Sequence, residues 1–170
     1  NNSLASATVR ITGNYQSAED VLAFANVGMG NVAGVWNSGS GTLTLSSAGA
    51  TATIAEWQAA LRAVTYANSS DNPNTAARTV SYTVNDGALA SNTVTSTVNV
   101  TAVNDVPTMS GLAGDALAYA EGDGAVPIEQ GGNAAVADVD SADFSGGALT
   151  VSLISGSDSA EDVLAVRNQG

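Results

Sequence analysis

Residues 17–23 read SAEDVLA and residues 159–165 read SAEDVLA again, so the chain repeats itself at a spacing of 142 positions within 170 residues. At the same offset Val9 and Ile11 fall opposite Val151 and Leu153, each alternating with Thr, Ser or Arg as a half-buried strand does. A period of this length describes one folded module and the opening of the next, the arrangement of proteins built by iterating a bead.

Within the first period the apolar spacing predicts a predominantly β structure. Residues 7–11, 20–24, 32–36 and 41–45 are short alternating runs parted by Gly, Asn and Ser, the punctuation of an all-β sandwich. One segment breaks the pattern. Ile54, Trp57, Leu61 and Val64 recur at helical spacing, with Thr53 placed as N-cap and Glu56 at the third helical position, which predicts a short helix near residues 53–63 lying across an open edge of the sandwich. Strands resume over 64–68 and 78–84. After the turn NDGALAS, the run 93–103 is expected to be the longest strand, ended by Asn104, Asp105 and Pro107.

Sixteen Asp and Glu stand against four Arg and no Lys, a formal charge of −12. A polyanion repels nucleic acid and anionic lipid, so no nucleic-acid partner is expected and the natural counterpart is a cation. No run approaches the roughly 18 apolar residues that cross a membrane, so membrane insertion is not expected either. With no Cys there is no disulfide to stiffen the chain, and with 44 % hydrophobic but 5 % aromatic residues the core must be built from Val, Leu, Ile and Ala. Stiffness is left to packing or metal. Oxygen-rich ligands suit Ca²⁺, whereas Zn²⁺ would want the His or Cys this chain lacks. Asp138 and Asp140, one residue apart before a Gly-rich turn, are placed to aim two carboxylates into one loop-lined pocket.

The phrases EWQAALRAVTYANSS and RTVSYTVNDG, a long Val/Thr strand, and then VNDVP resemble the closing third of the bacterial cadherin-like repeats of giant RTX and VCBS-type surface adhesins. Residues 108–166 resemble the opening of a following repeat, with a strand over LAYAEG (117–122), then VPI, then 137–153. The resemblance implies cadherin/immunoglobulin-like β-sandwich tandem repeats. Residues 1–105 would be one repeat without its opening strands and 106–170 the opening part of the next. It also implies a secreted, cell-surface, non-enzymatic protein in which Ca²⁺ stiffens the junction between beads. Carried over by position, the ligands would be Asn104 and Asp105 of the linker, Glu121 of the first strand, Asp138 and Asp140 of the next bead, and Asp86 of the NDG turn. The linker departs from the family's fuller acidic pattern, with Ala102 and Val103 before Asn104 and Val106 where another Asn belongs, which implies fewer or weaker ions.

Each candidate has a plainer use. Asn104 and Asp105 also suit an Asx turn before Pro107. Glu19, Asp20, Glu161 and Asp162 are either solvated or capping acids at a strand start, or pairs of which one member binds metal. Ser40, between glycines in SGSGT, belongs to a hairpin turn, because a chain without His or Lys offers it no base. Trp57 faces the core. Trp36, at a strand end before NSGSG, is either core or a contact for sugar, and a carbohydrate-binding module with cell-surface glycans as partner is the alternative reading. Since 143–170 duplicates 1–28, the expected partners are neighbouring repeats or copies of itself. The chain is read either as a window of a longer filament or as subunits joined head-to-tail by strand complementation, residues 107–142 of one copy completing the next.

Overall fold

The computed structural model describes residues 3–167. Contacts divide the chain into two units, Asn1–Asp140 and Ser141–Gly170.

In the first unit, alternation along β1 (Ser6–Gly13) buries Ala7, Val9 and Ile11 and turns Thr8 and Arg10 away from the core. β1 is the centre of a five-stranded sheet, pairing antiparallel with β4 (Thr42–Ser47) on one side and β6 (Arg78–Asn85) on the other. β3 (Val32–Asn37) and β7 (Val94–Val98) form its edges, in the order β3-β4-β1-β6-β7. Register places Val9 opposite both Leu43 and Tyr82. β2 (Asp20–Ala23) and β5 (Thr65–Asn68) make a separate two-stranded sheet. Val9, Ile11, Leu43, Leu45 and Val80 of the large sheet share one core with Leu22 of β2 and with Trp57 and Ala60 of the helix. Two layers of antiparallel sheet closing on one apolar core is a sandwich-like arrangement.

The helix α1 (Ile54–Arg62) begins where the sequence places it. Thr53 Oγ1 accepts from the Glu56 backbone N–H at 3.2 Å, and Glu56 Oε2 accepts from the Thr53 N–H at 2.7 Å, a reciprocal pair that satisfies two donors the helix leaves open. α1 packs against β3, an edge strand of the large sheet. The SGSG stretch is the β3–β4 hairpin turn. Gly41 sits there at φ +63°, and a Cβ on it would lie 3.0 Å from the Tyr15 ring, so glycine is required on both counts.

Two strand expectations are corrected. The run 93–103 forms only the five-residue β7, because the last rung of the β6 ladder is Arg78 with Val98 and nothing further of β6 remains to pair with 99–103. The stretch 117–122 is irregular rather than a strand. The paired elements near it are instead β8 (Thr108–Ser110) and β9 (Ala135–Ala137), an antiparallel two-stranded ribbon.

The second unit, as far as residue 167, contains turns and extended chain without helix or strand. Its side chains are exposed from Ala142 to Arg167. In the first copy, β1 is paired with β4 and β6, and β2 with β5.

Candidate functional site

The most enclosed polar group is an ion pair. Asp20 opens β2 and Arg78 opens β6, both facing inward, and they are 1 % and 0 % exposed. Arg78 Nε donates to Asp20 Oδ2 at 3.0 Å and Nη2 to Oδ1 at 3.1 Å, a forked pairing. Tyr66 Oη and Asn68 Nδ2, from β5, donate to Oδ1 at 2.6 and 2.9 Å, and the Gln16 backbone N–H donates to Oδ2 at 2.9 Å. Arg78 Nη1 donates to the carbonyls of Asn74 and Ala76, and Glu19 Oε2 stands 3.6 Å from Nη2. Burial by itself would raise the Asp20 carboxyl, but the hydrogen bonds from Arg78, Tyr66, Gln16 and Asn68 outweigh it and hold the group below the usual carboxylate range. Asp20 is thus buried rather than solvated, and it caps the Gln16 backbone N–H, the capping use expected as one reading of this pair. It is the counter-ion of a buried guanidinium, with Glu19 as its flank.

A different acidic group gathers where the chain leaves β7 and where it leaves β9. The Asp105 backbone N–H donates to Asp140 Oδ2 at 3.0 Å, and the Asp140 N–H donates to Asp138 Oδ1 at 3.2 Å. The first of these ties residues 104–108 to residues 137–140 beside an open depression of about 320 Å³ lined by Asp105, Val106, Thr108, Ala137, Asp138 and Val139. Thr108 Oγ1 adds a bond to the Ala137 carbonyl at 3.2 Å. Asp138 and Asp140 are half-buried, and Asn104 and Asp105 exposed. Asn104 Nδ2 donates to the Asp105 carbonyl at 2.6 Å, a bond other than the Asx turn expected before Pro107. Four of the residues expected at a metal site are therefore brought to one place. Among the described residues no three acidic side chains group closely enough to hold an ion by themselves, so a cation here would also draw on carbonyls and water, as Ca²⁺ does.

The other candidates lie elsewhere. Asp86 Oδ1 accepts from the Ala88 and Leu89 N–H groups at 2.9 and 2.8 Å, and these amides, Leu89 first, hold its carboxyl below the ordinary value. Its carboxylate caps the β6–β7 turn. Glu121 sits in an exposed turn, and neither it nor Asp86 lines the depression. Glu161 and Asp162 are exposed, in a turn that reproduces that of Glu19 and Asp20. The Asp162 and Glu161 N–H groups donate to the Asp158 carbonyl at 2.7 and 3.1 Å, as those of Asp20 and Glu19 do to the Gln16 carbonyl at 2.8 and 3.1 Å. The Asp158 N–H returns a bond to Asp162 Oδ2 at 2.7 Å, matching Gln16 with Asp20. Trp36 is half-buried on edge strand β3, its ring edge-to-face with Tyr15 at 6.2 Å.

Comparison with protein-family models, with curated proteins and with solved structures yields no match. Sequence reasoning missed the Arg78 cage, although a signal was present. Arg78 is in phase with Val80 on the inward side of β6, and a cation on the core face of a strand requires a buried carboxylate.

Proposed function

We propose that the chain is a non-enzymatic structural or adhesive repeat of an extracellular filament or matrix, with a cadherin/immunoglobulin-like sandwich as its bead and Ca²⁺ bound where residues 104–108 meet residues 137–140. The observation that carries this reading is the bond from the Asp105 N–H to Asp140 Oδ2, which draws the segment after β7 and the acidic loop after β9 to one open depression. Carboxylates within about 5 Å repel by roughly 1 kcal/mol per pair in a water-like dielectric and by more when partly buried. A divalent cation reverses the sign. Extracellular modules bind Ca²⁺ at about 10⁻⁴ to 10⁻³ M, so calcium outside the cell fills such a site and cytosolic calcium leaves it empty. The segment is then loose before export and ordered after it.

Isothermal calorimetry of the full chain with CaCl₂ tests the proposal. Saturable binding in that concentration range, lost in Asp138→Asn/Asp140→Asn and unchanged in Asp86→Asn, supports it. Absence of binding at ten millimolar Ca²⁺, or binding untouched by the double substitution, contradicts it.

A second reading, a carbohydrate-binding module, draws on half-buried Trp36 beside half-buried Tyr15 next to the β3–β4 hairpin. Glycan binding abolished by Trp36→Ala and indifferent to chelator would favour it over the first.

A further inference from the structure

The chain contains two Asp-Gly steps, Asp86–Gly87 and Asp123–Gly124. Such a step is chemically weak, because a glycine has no side chain to shield its backbone nitrogen from the carboxyl that precedes it. Both glycines lie in the left-handed region, at φ +98° and +71°, so the hand of the backbone does not separate them. Hydrogen bonding does. The Gly87 N–H donates to Asn85 Oδ1 at 2.6 Å, and Asp86 Oδ1 accepts from the Ala88 and Leu89 N–H groups at 2.9 and 2.8 Å. The nitrogen that would attack and the carboxylate it would attack are thus each tied elsewhere. The turn around them is pinned as well, by the Asp86 N–H on the Leu89 carbonyl at 3.2 Å and the Ser91 N–H on the Val84 carbonyl at 2.8 Å. At the second step the residue before the aspartate is Gly122, which has no side-chain acceptor to offer. That turn is closed by the Asp123 N–H on the Ala120 carbonyl at 3.1 Å and the Ala120 N–H on Asp123 Oδ2 at 2.8 Å, and neither bond holds the Gly124 N–H. The contrast is local, Asn85 against Gly122.

We propose that Asp123–Gly124 is a site of spontaneous isoaspartate formation, and that Asn85 guards Asp86–Gly87 against the same reaction. The Gly124 nitrogen bonds to Asp123 Cγ, its proton and a carboxyl hydroxyl leave together as water, and a cyclic imide results. Water then adds to one of the two ring carbonyls and breaks that carbonyl's bond to nitrogen. Opening at Cγ restores aspartate. Opening at the backbone carbonyl leaves the main chain running through Cγ, with the free carboxylate on Cα. No oxidant, metal or co-reactant other than water takes part. In the product the carboxylate that accepted from the Ala120 N–H has become a peptide link, so the turn over residues 120–123 loses one of its two closing bonds. The inference is independent of the calcium site.

The test incubates the full chain at body temperature and neutral pH, in chelator throughout, and counts isoaspartate at each step by fragmentation mass spectrometry. Conversion at Asp123 is expected to outpace that at Asp86 by roughly tenfold or more, the scale of the two further net hydrogen bonds that hold Asp86–Gly87. Asn85→Ala should speed conversion at Asp86 by roughly fivefold, the scale of one such bond, and leave Asp123 unchanged, while Asn85→Asp, which keeps an acceptor oxygen, should stay near the parent rate. In urea, with both turns undone, the two steps should convert at similar rates. Equal rates in the folded chain overturn the inference, as does an Asn85→Ala chain whose Asp86 converts no faster. A folded chain that forms no isoaspartate at Asp123 while the urea-treated chain does so overturns the assignment of the site. A difference that persists in urea places the protection in the neighbouring sequence and overturns the role of Asn85. So does an Asn85→Ala chain that melts earlier and converts faster at both steps alike, since that reports unfolding.

Discussion

At the scale of single residues, the guanidinium of Arg78 dominates. Moving a cation out of water costs several kcal/mol even after relaxation, and it is tolerated here because Asp20 meets it in a forked pair and the carbonyls of Asn74 and Ala76 take further protons. Removing one partner leaves the other charged and dry. Asp20→Asn should therefore cost about 3–5 kcal/mol in urea denaturation of the monomer at neutral pH, and Arg78→Met a similar amount, whereas the joint replacement Asp20→Leu/Arg78→Met should recover much of the loss. Acid gives an independent check. Because the folded Asp20 carboxyl lies below its unfolded value, its contribution is fully present above the unfolded value of about 3.9 and is lost as pH falls through the lower folded value. Asp20→Asn should lack that component, so its pH–stability curve should be flatter than that of the parent across the acid limb. This role was hidden in the sequence because Asp20 and Arg78 are 58 positions apart, and a carboxylate before a strand looks the same whether water or a guanidinium awaits it.

Among the elements, those with local signals were legible and those defined by a distant partner were not. Alternation located β1 to β6, and the Thr53–Glu56 box located α1, because the side-chain period and the cap depend only on neighbours in sequence. The extent of β7 depends on where its antiparallel partner β6 begins, and the fate of 117–122 on whether another strand lies beside it, which no local pattern encodes. The same distinction explains the candidate cation site. The acidic spacing of Asp138 and Asp140 could be read directly, while the bond from the Asp105 N–H to Asp140 joins segments that no local pattern brings together. Two predictions belong to this scale. Thr53→Ala should destabilise the first unit by about 1 kcal/mol through loss of the cap. Trp57→Ala should destabilise it by about 3–5 kcal/mol, since the indole is 1 % exposed in the shared core. Both are measured by urea titration followed by circular dichroism. Trp57 Nε1 is buried without an acceptor among the described residues, so Trp57→Phe should cost far less than Trp57→Ala: the ring is largely retained and an unmet donor is removed.

For the molecule as a whole, composition and repetition set the terms. A charge of −12 spread over a chain with four cationic side chains is self-repelling, and only one of the four, Arg78, is spent inside the core. Divalent cations are the natural remedy. On the proposed reading, at a free Ca²⁺ concentration ten times the dissociation constant one site would add about 1.4 kcal/mol to the bound state, and amide exchange should slow across residues 104–110 and 135–140 while β1 and β4 stay unchanged. The most direct test is a calcium titration of the isotope-labelled full chain followed by amide NMR. The account predicts saturable shifts concentrated on Asn104–Thr108 and Ala137–Asp140, reversed by chelator and absent in Asp138→Asn/Asp140→Asn. Shifts that never saturate and are spread over acidic residues throughout the chain, or none at those two segments, would contradict it.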